Sequence, residues 1–124
     1  MPITSLVVGI FALLIVPLSV QVSLLRAKAN TVFGDAGDET LRKRIRAHGN
    51  FIEYAPLAAM ALGVTEYRGG PTWLVWVLAF GFVFARVVHA IGMLFTATPP
   101  VRAVAMLVNH VSFLAAGIWL VSTF

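Results

Sequence analysis

The sequence has no cysteine, and it is poor in charge of either sign, with five acidic residues and nine lysines and arginines among 124. Without a thiol the chain can make no disulfide, no thiolate metal ligand and no cysteine nucleophile, so any sulfur chemistry must arrive with a ligand. Charged residues amount to 11% and hydrophobic ones to 60%, a balance that leaves a small water-soluble domain too little polar surface to cover its core. Residues 3–25, 72–95 and 101–124 carry no charge or almost none. Each stretch meets the roughly 20-residue length that a helix needs to cross a bilayer. Residues 51–65 are apolar but too short alone, so a second helix has to borrow its amphipathic approach from upstream. The composition predicts an all-α integral membrane four-helix bundle, a single domain over residues 1–124, with function residing in the helices and their ends.

Charge placement sets an expected orientation. Six of the basic residues, Arg26, Lys28, Arg42, Lys43, Arg44 and Arg46, fall in or beside the first connection, while the connection between the second and third spans has only Arg68. The positive-inside rule then puts the first connection in the cytoplasm and both termini on the opposite side. Tyr67, Trp73, Trp76 and Trp119 cluster at the other interface, as an aromatic belt does. The net charge of +4 does not point to nucleic acid, because the basic residues lie against membrane ends without interleaved surface aromatics.

The first helix is expected over residues 4–30, kinked at Pro17, with Gln21 and Ser23 as polar points near its basic end. It lacks a basic leader and a small-residue cleavage site, and reads as a retained span. Residues 33–37 form a loop, and Asp38 followed by Glu39 reads as an N-cap with acid in the first turn. Pro56 lies inside the second helix and removes the hydrogen bond to the carbonyl of Ile52. Residues 66–71 read as one tight turn and Thr98-Pro99-Pro100 as another. Short connections make neighbouring helices antiparallel.

Within this greasy frame the segment 46–56, RAHGNFIEYAP, stands out. Arg46, Asn50 and Glu53 are spaced i, i+4, i+7 and fall within roughly 60° of one another on a helix. A cation, an amide and an anion in one stripe suit a zwitterion carrying both carboxylate and amine; alternatively they satisfy one another or a neighbouring helix. Antiparallel packing brings Arg86, His89 and Met93 of the third helix, and Arg102 and Met106 of the fourth, to the same layer, with Arg26 of the first within reach. A charge in a span costs roughly 2.5–3.5 kcal/mol at the helix centre, so Arg86 and Glu53 should face protein or a wet cavity. A Glu53–Arg86 bridge is the plain structural reading of both. Arg102 is either a snorkelling boundary arginine or part of that layer. His89 is a ligand contact or a helix–helix hydrogen bond, His48 is interfacial, and Asn109 and His110 join helices. The spacing of His48, His89 and Glu53 matches no metal site.

The pattern Arg46-x-x-x-Asn50-x-x-Glu53-Tyr54-x-Pro56, with Arg86-x-x-His89 and Pro100-Val101-Arg102, resembles the MAPEG family, the membrane-associated proteins in eicosanoid and glutathione metabolism, and within it the bacterial type similar to microsomal glutathione transferases. The resemblance implies a homotrimer of four-helix subunits in a bacterial inner membrane, with glutathione held as co-substrate near the cytoplasmic side. It implies that Arg46, Asn50, Glu53, Tyr54, Arg86 and His89 contact or support glutathione, that Arg26 reaches it from a neighbouring subunit, and that Arg102 faces the thiol. Two carboxylates and an ammonium are complementary to arginines and a glutamate, and a guanidinium beside a thiol favours the thiolate. The implied reaction is conjugation of that thiolate to a hydrophobic electrophile, or reduction of a lipid hydroperoxide, with membrane lipid around it, no nucleic acid and no metal. Met93, Met106 and Ala103 stand where relatives carry hydroxyls, which keeps open a non-catalytic lipid-binding relative. A small four-helix multidrug transporter is the more distant alternative, since such pumps resemble one another in an acid deep in the first helix, and this first helix has none.

Overall fold

The computed structural model describes residues 1–95 and 99–124. It contains four helices, α1 Pro2–Lys28, α2 Glu39–Tyr67, α3 Thr72–Phe95 and α4 Pro99–Ser122. Three of them, α1, α3 and α4, are long and apolar enough to cross a membrane. α2 has 29 residues, but its first half carries the basic cluster and only its second half is apolar. The expected all-α membrane bundle is thus present.

α2 and α3 form the centre. α1 packs on both from one side and α4 from the other, so that among the described residues α1 and α4 do not approach each other. Leu62, Leu78, Phe82 and Ala58 are completely buried between them, whereas Leu13, Phe80 and Leu114 point outward. An apolar exterior is what a bilayer-solvated bundle requires, because lipid, unlike water, does not penalise it.

Helix starts follow local chemistry. Asp38 Oδ1 accepts hydrogen bonds from the backbone N–H of Thr40 at 2.7 Å and of Leu41 at 3.1 Å, so the expected N-cap fixes where α2 begins. In the loop before it, Arg42 Nε donates to Asp35 Oδ2 at 2.5 Å, and this bond holds the Asp35 carboxyl below its ordinary range. Pro99 and Pro100 open α4, where a missing N–H costs nothing. Thr98, the first residue of the turn expected there, lies outside the described residues. α1 starts and stops two residues earlier than its sequence pattern suggests, and Glu66 and Tyr67 belong to α2 rather than to the following turn.

Glu66 has a task that the sequence pattern conceals. Its carboxylate accepts from the backbone N–H of Ile3 at 3.1 Å and of Thr4 at 2.7 Å, and from Thr4 Oγ1 at 2.6 Å. It therefore caps the N-terminus of α1 from a different helix. Two residues on, Arg68 donates to the carbonyls of Leu120 at 3.0 Å and Thr123 at 2.5 Å, closing the C-terminal end of α4. An anion meets the positive end of one helix dipole and a cation the negative end of another. One short segment ties both outer helices to the central pair at the aromatic end of the bundle. The exposed Tyr67, Trp73 and Trp76 surround this clasp.

Candidate functional site

At the opposite, basic end α3 and α4 are held unusually close. A Cβ on Gly92 would sit 3.0 Å from Arg102 Cγ and 3.2 Å from Val101 Cγ1, and one on Gly81 would sit 2.3 Å from Ser112 Oγ. The two glycines are about three turns apart on one face of α3. They let the helices approach along that seam, as small residues do in membrane bundles. Close approach brings the start of α4 against the end of α3, and Arg102 Nη1 donates to Met93 Sδ at 3.1 Å.

Arg86 lies deeper and is almost wholly buried, 2% exposed. It does not pair with Glu53. Its Nη1 donates to Asn50 Oδ1 at 2.6 Å and more weakly to the Asn50 carbonyl at 3.3 Å. Nη2 lies 3.8 Å from Met106 Sδ, and the guanidinium carbon lies 4.9 Å from the Tyr54 ring centroid. The reason is the angular placement of the stripe. Asn50 is half-buried toward α3, while Glu53, which is rotated away from it, is exposed on the outer face and has no ion-pair partner among the described residues. The expected bridge is replaced by an amide that neutralises nothing and accepts from Nη1 alone.

Arg46, Asn50, His89, Met93, Arg102 and Met106 line a cavity of about 280 Å³, with Ala103 and Pro99 at its edge. Arg86 and Tyr54 stand behind Asn50 as its support rather than in the cavity wall. Arg26 is half-buried and is not among the described lining residues, and its Nε finds no hydrogen-bond partner among the described residues. The cavity therefore gathers arginines, an amide and an imidazole, with no carboxylate among its lining residues. Such a lining is rich in donors and suits an anion.

Of the two α4 side chains expected to join helices, one does so through its ring and the other makes no hydrogen bond among the described residues. His110 Nδ1 is 2.7 Å from the Met106 carbonyl of its own helix, and its exposed ring joins α4 to α2 by an edge contact with Tyr54, centroids 6.1 Å apart. Asn109 is fully buried, yet neither its oxygen nor its nitrogen has a partner among the described residues. The Glu66 cap was invisible in the sequence, since its donors, two backbone N–H groups and one hydroxyl, lie more than sixty positions away.

The profile of the MAPEG family matches residues 4–122. The chain is similar to Inner membrane protein YecN of Escherichia coli strain K12, with 32% identity over 90 residues that make up 73% of this chain and 69% of that protein. The YecN protein of Escherichia coli O6:H1 gives the same identity and coverage. No solved structure matches the chain significantly.

Proposed function

The chain belongs to the MAPEG family, and from that premise we propose that it is a glutathione transferase of the bacterial inner membrane, conjugating the glutathione thiolate to hydrophobic electrophiles. One observation carries the reading. Arg102 at the cavity already donates to a sulfur, that of Met93, and its Nε has no hydrogen-bond partner among the described residues. A thiolate is a stronger acceptor than a thioether because it is anionic, so the same guanidinium favours the ionised thiol.

The other residues have complementary tasks. Arg46 and His89 face the cavity and suit a carboxylate; Asn50 is oriented by Arg86. Glu53 and Arg46 are both exposed on the outer face of α2, and a second copy packed there in a homotrimer would enclose them, leaving Glu53 to meet the ammonium. In the reaction the thiol proton passes to water, the sulfur forms a bond to the electrophilic carbon, and the leaving group departs with the bonding electrons. Reduction of a lipid hydroperoxide is the accompanying activity, with two thiols oxidised to a disulfide as the peroxide gives an alcohol and water. The site faces the cytoplasm and both termini lie on the far side, the orientation that the basic first connection favours.

A second reading, lipid binding without turnover, draws on Met93, Met106 and Ala103, which leave the described lining residues without a hydroxyl. Titration calorimetry with glutathione on the full chain in detergent, followed by turnover of a model aryl halide, separates the two. Binding and turnover support the transferase; binding without turnover favours the second reading; neither heat nor a melting shift at millimolar glutathione removes the first.

A further inference from the structure

A second cavity lies on the other side of Arg86. It is a groove of about 380 Å³ between α1 and α3, with Leu14 and Pro17 on one wall and Ile91 and Leu94 on the other. At its basic end Arg44 Nη1 donates to Gln21 Oε1, joining α2 to α1 across the groove. Its lining residues include Arg44, Gln21 and Arg86 and no acid. Among the described residues Gln21 Nε2 and Arg86 Nε are both buried donors with no hydrogen-bond partner, and Arg44 has no carboxylate partner. At one end of an apolar trough, an unused amide donor and a cation without a carboxylate, with a further unused donor deeper in, describe a site for an amphiphile whose head only accepts hydrogen bonds and is negative.

We propose that this groove binds a long-chain fatty carboxylate, with the acyl chain between α1 and α3 and the head held by Arg44 and Gln21. The volume sits near the lower end of the roughly 300–1,000 Å³ of small-molecule sites, which suits one chain and not the two chains of a phospholipid. The position also suits the occupant. Arg44 lies in the basic first turns of α2, at the level where a membrane-embedded carboxylate would have its head, while Pro17 and Leu14 run toward the bilayer interior. The site is separate from the cavity of the proposed transferase, since Asn50 and Arg86 form the wall between them.

The test uses the full chain in an uncharged alkyl maltoside and hexadecanoic acid carrying a mid-chain diazirine. Irradiation should label residues within 14–21 and 87–95. Excess hexadecanoate should abolish the labelling, and hexadecanol at the same concentration should leave it. Arg44→Gln should weaken capture at least fivefold, and Ala90→Phe, which fills the trough, should remove it. The proposal is overturned if hexadecanol competes as well as the acid, if label spreads over the outward face of α4, or if phosphatidylglycerol displaces the probe at lower concentration than hexadecanoate. The acid-against-alcohol comparison is made on the unaltered chain, so it stands even where a variant does not fold. None of these readouts involves glutathione, so loss of the transferase reading leaves them intact.

Discussion

Arg86 Nη1 donates to Asn50 Oδ1 at 2.6 Å, and Glu53, less than one turn further along α2, stays on the outside of the subunit. The buried guanidinium is thus stabilised by a neutral amide, two methionine or aromatic neighbours and a backbone carbonyl rather than by the nearest carboxylate. That choice leaves the carboxylate available at the surface, and it makes Asn50 the hinge between a structural arginine and the cavity.

Asn50→Ala should therefore cost stability as well as binding. It removes the acceptor of a buried charged donor, for which about 1–3 kcal/mol is usual. The apparent melting temperature of the purified protein should fall by several degrees. Asn50→Asp keeps an acceptor and should hold the melting temperature close to that of the parent, while placing a negative charge at the cavity and weakening anion binding. A parent-like Asn50→Ala melt would show that Arg86 finds another acceptor.

The clasp at the aromatic end predicts a second stability effect. Glu66 accepts from three donors of α1, and Glu66→Gln turns one acceptor into a donor that faces N–H groups. A loss of about 1–2 kcal/mol is expected, the range for caps and helix-dipole charges combined. Tyr67→Phe, at an exposed neighbour outside the clasp, should leave the melt unchanged. Hydrogen exchange should localise the Glu66→Gln effect to the first turn of α1.

Helix approach at Gly81 gives a prediction about coupling. An alanine there would push on Ser112 Oγ, which donates to the Val108 carbonyl at 2.8 Å, and moving that hydroxyl gives up a hydrogen bond of about 1 kcal/mol. Ser112→Ala removes the obstacle and leaves only ordinary contact, since the Ser112 Cβ is 3.5 Å from the added carbon. The double variant Gly81→Ala with Ser112→Ala should be more stable than Gly81→Ala alone. Additive losses in the melting series would mean that the seam is set elsewhere.

Glu53, exposed and without an ion-pair partner among the described residues, predicts an assembly effect. Burying it in an interface between copies without a partner would be prohibitive, so a neighbouring subunit must supply donors or the bound ligand must do so. Native mass spectrometry of the parent should show a trimer. Glu53→Gln should keep that mass while weakening glutathione binding about tenfold; a monomer from the parent would remove the basis for a shared site.

Much of the architecture was legible because membrane spans are written in composition. The charge-free stretches gave three helices within a few residues of their limits, and Asp38 gave the start of α2 because a cap is a local event. Glu66 and Asn109 were not legible. A carboxylate near the end of a helix looks like a surface residue until α1 is known to begin beside it, and an asparagine in a span looks like a helix-joining group until its buried amide is seen to have no hydrogen-bond partner among the described residues. The basic layer was half legible: spacing placed Arg46, Asn50 and Glu53 on one stripe, but a stripe some 60° wide straddles the boundary between inside and outside. Only packing decides that Asn50 falls inward and Glu53 outward.

Arg102 offers the sharpest chemical test, because it lies at the cavity and donates to a sulfur already. Arg102→Leu should abolish conjugation of a model aryl halide while leaving glutathione affinity within a few fold, since in the proposed site the carboxylates and amine would be held by other groups. Arg102→Lys keeps the charge without the planar fork and should retain part of the rate. The thiolate absorbance of bound glutathione at neutral pH should fall in Arg102→Leu, and the pH–rate profile of Arg102→Lys should shift upward, because a less stabilised thiolate needs higher pH to form. If Arg102→Leu leaves both turnover and the thiolate signal unchanged, Arg102 only reaches for the membrane boundary and the activating cation is another. Arg46 would then be the next to replace, being the remaining arginine that lines the same cavity.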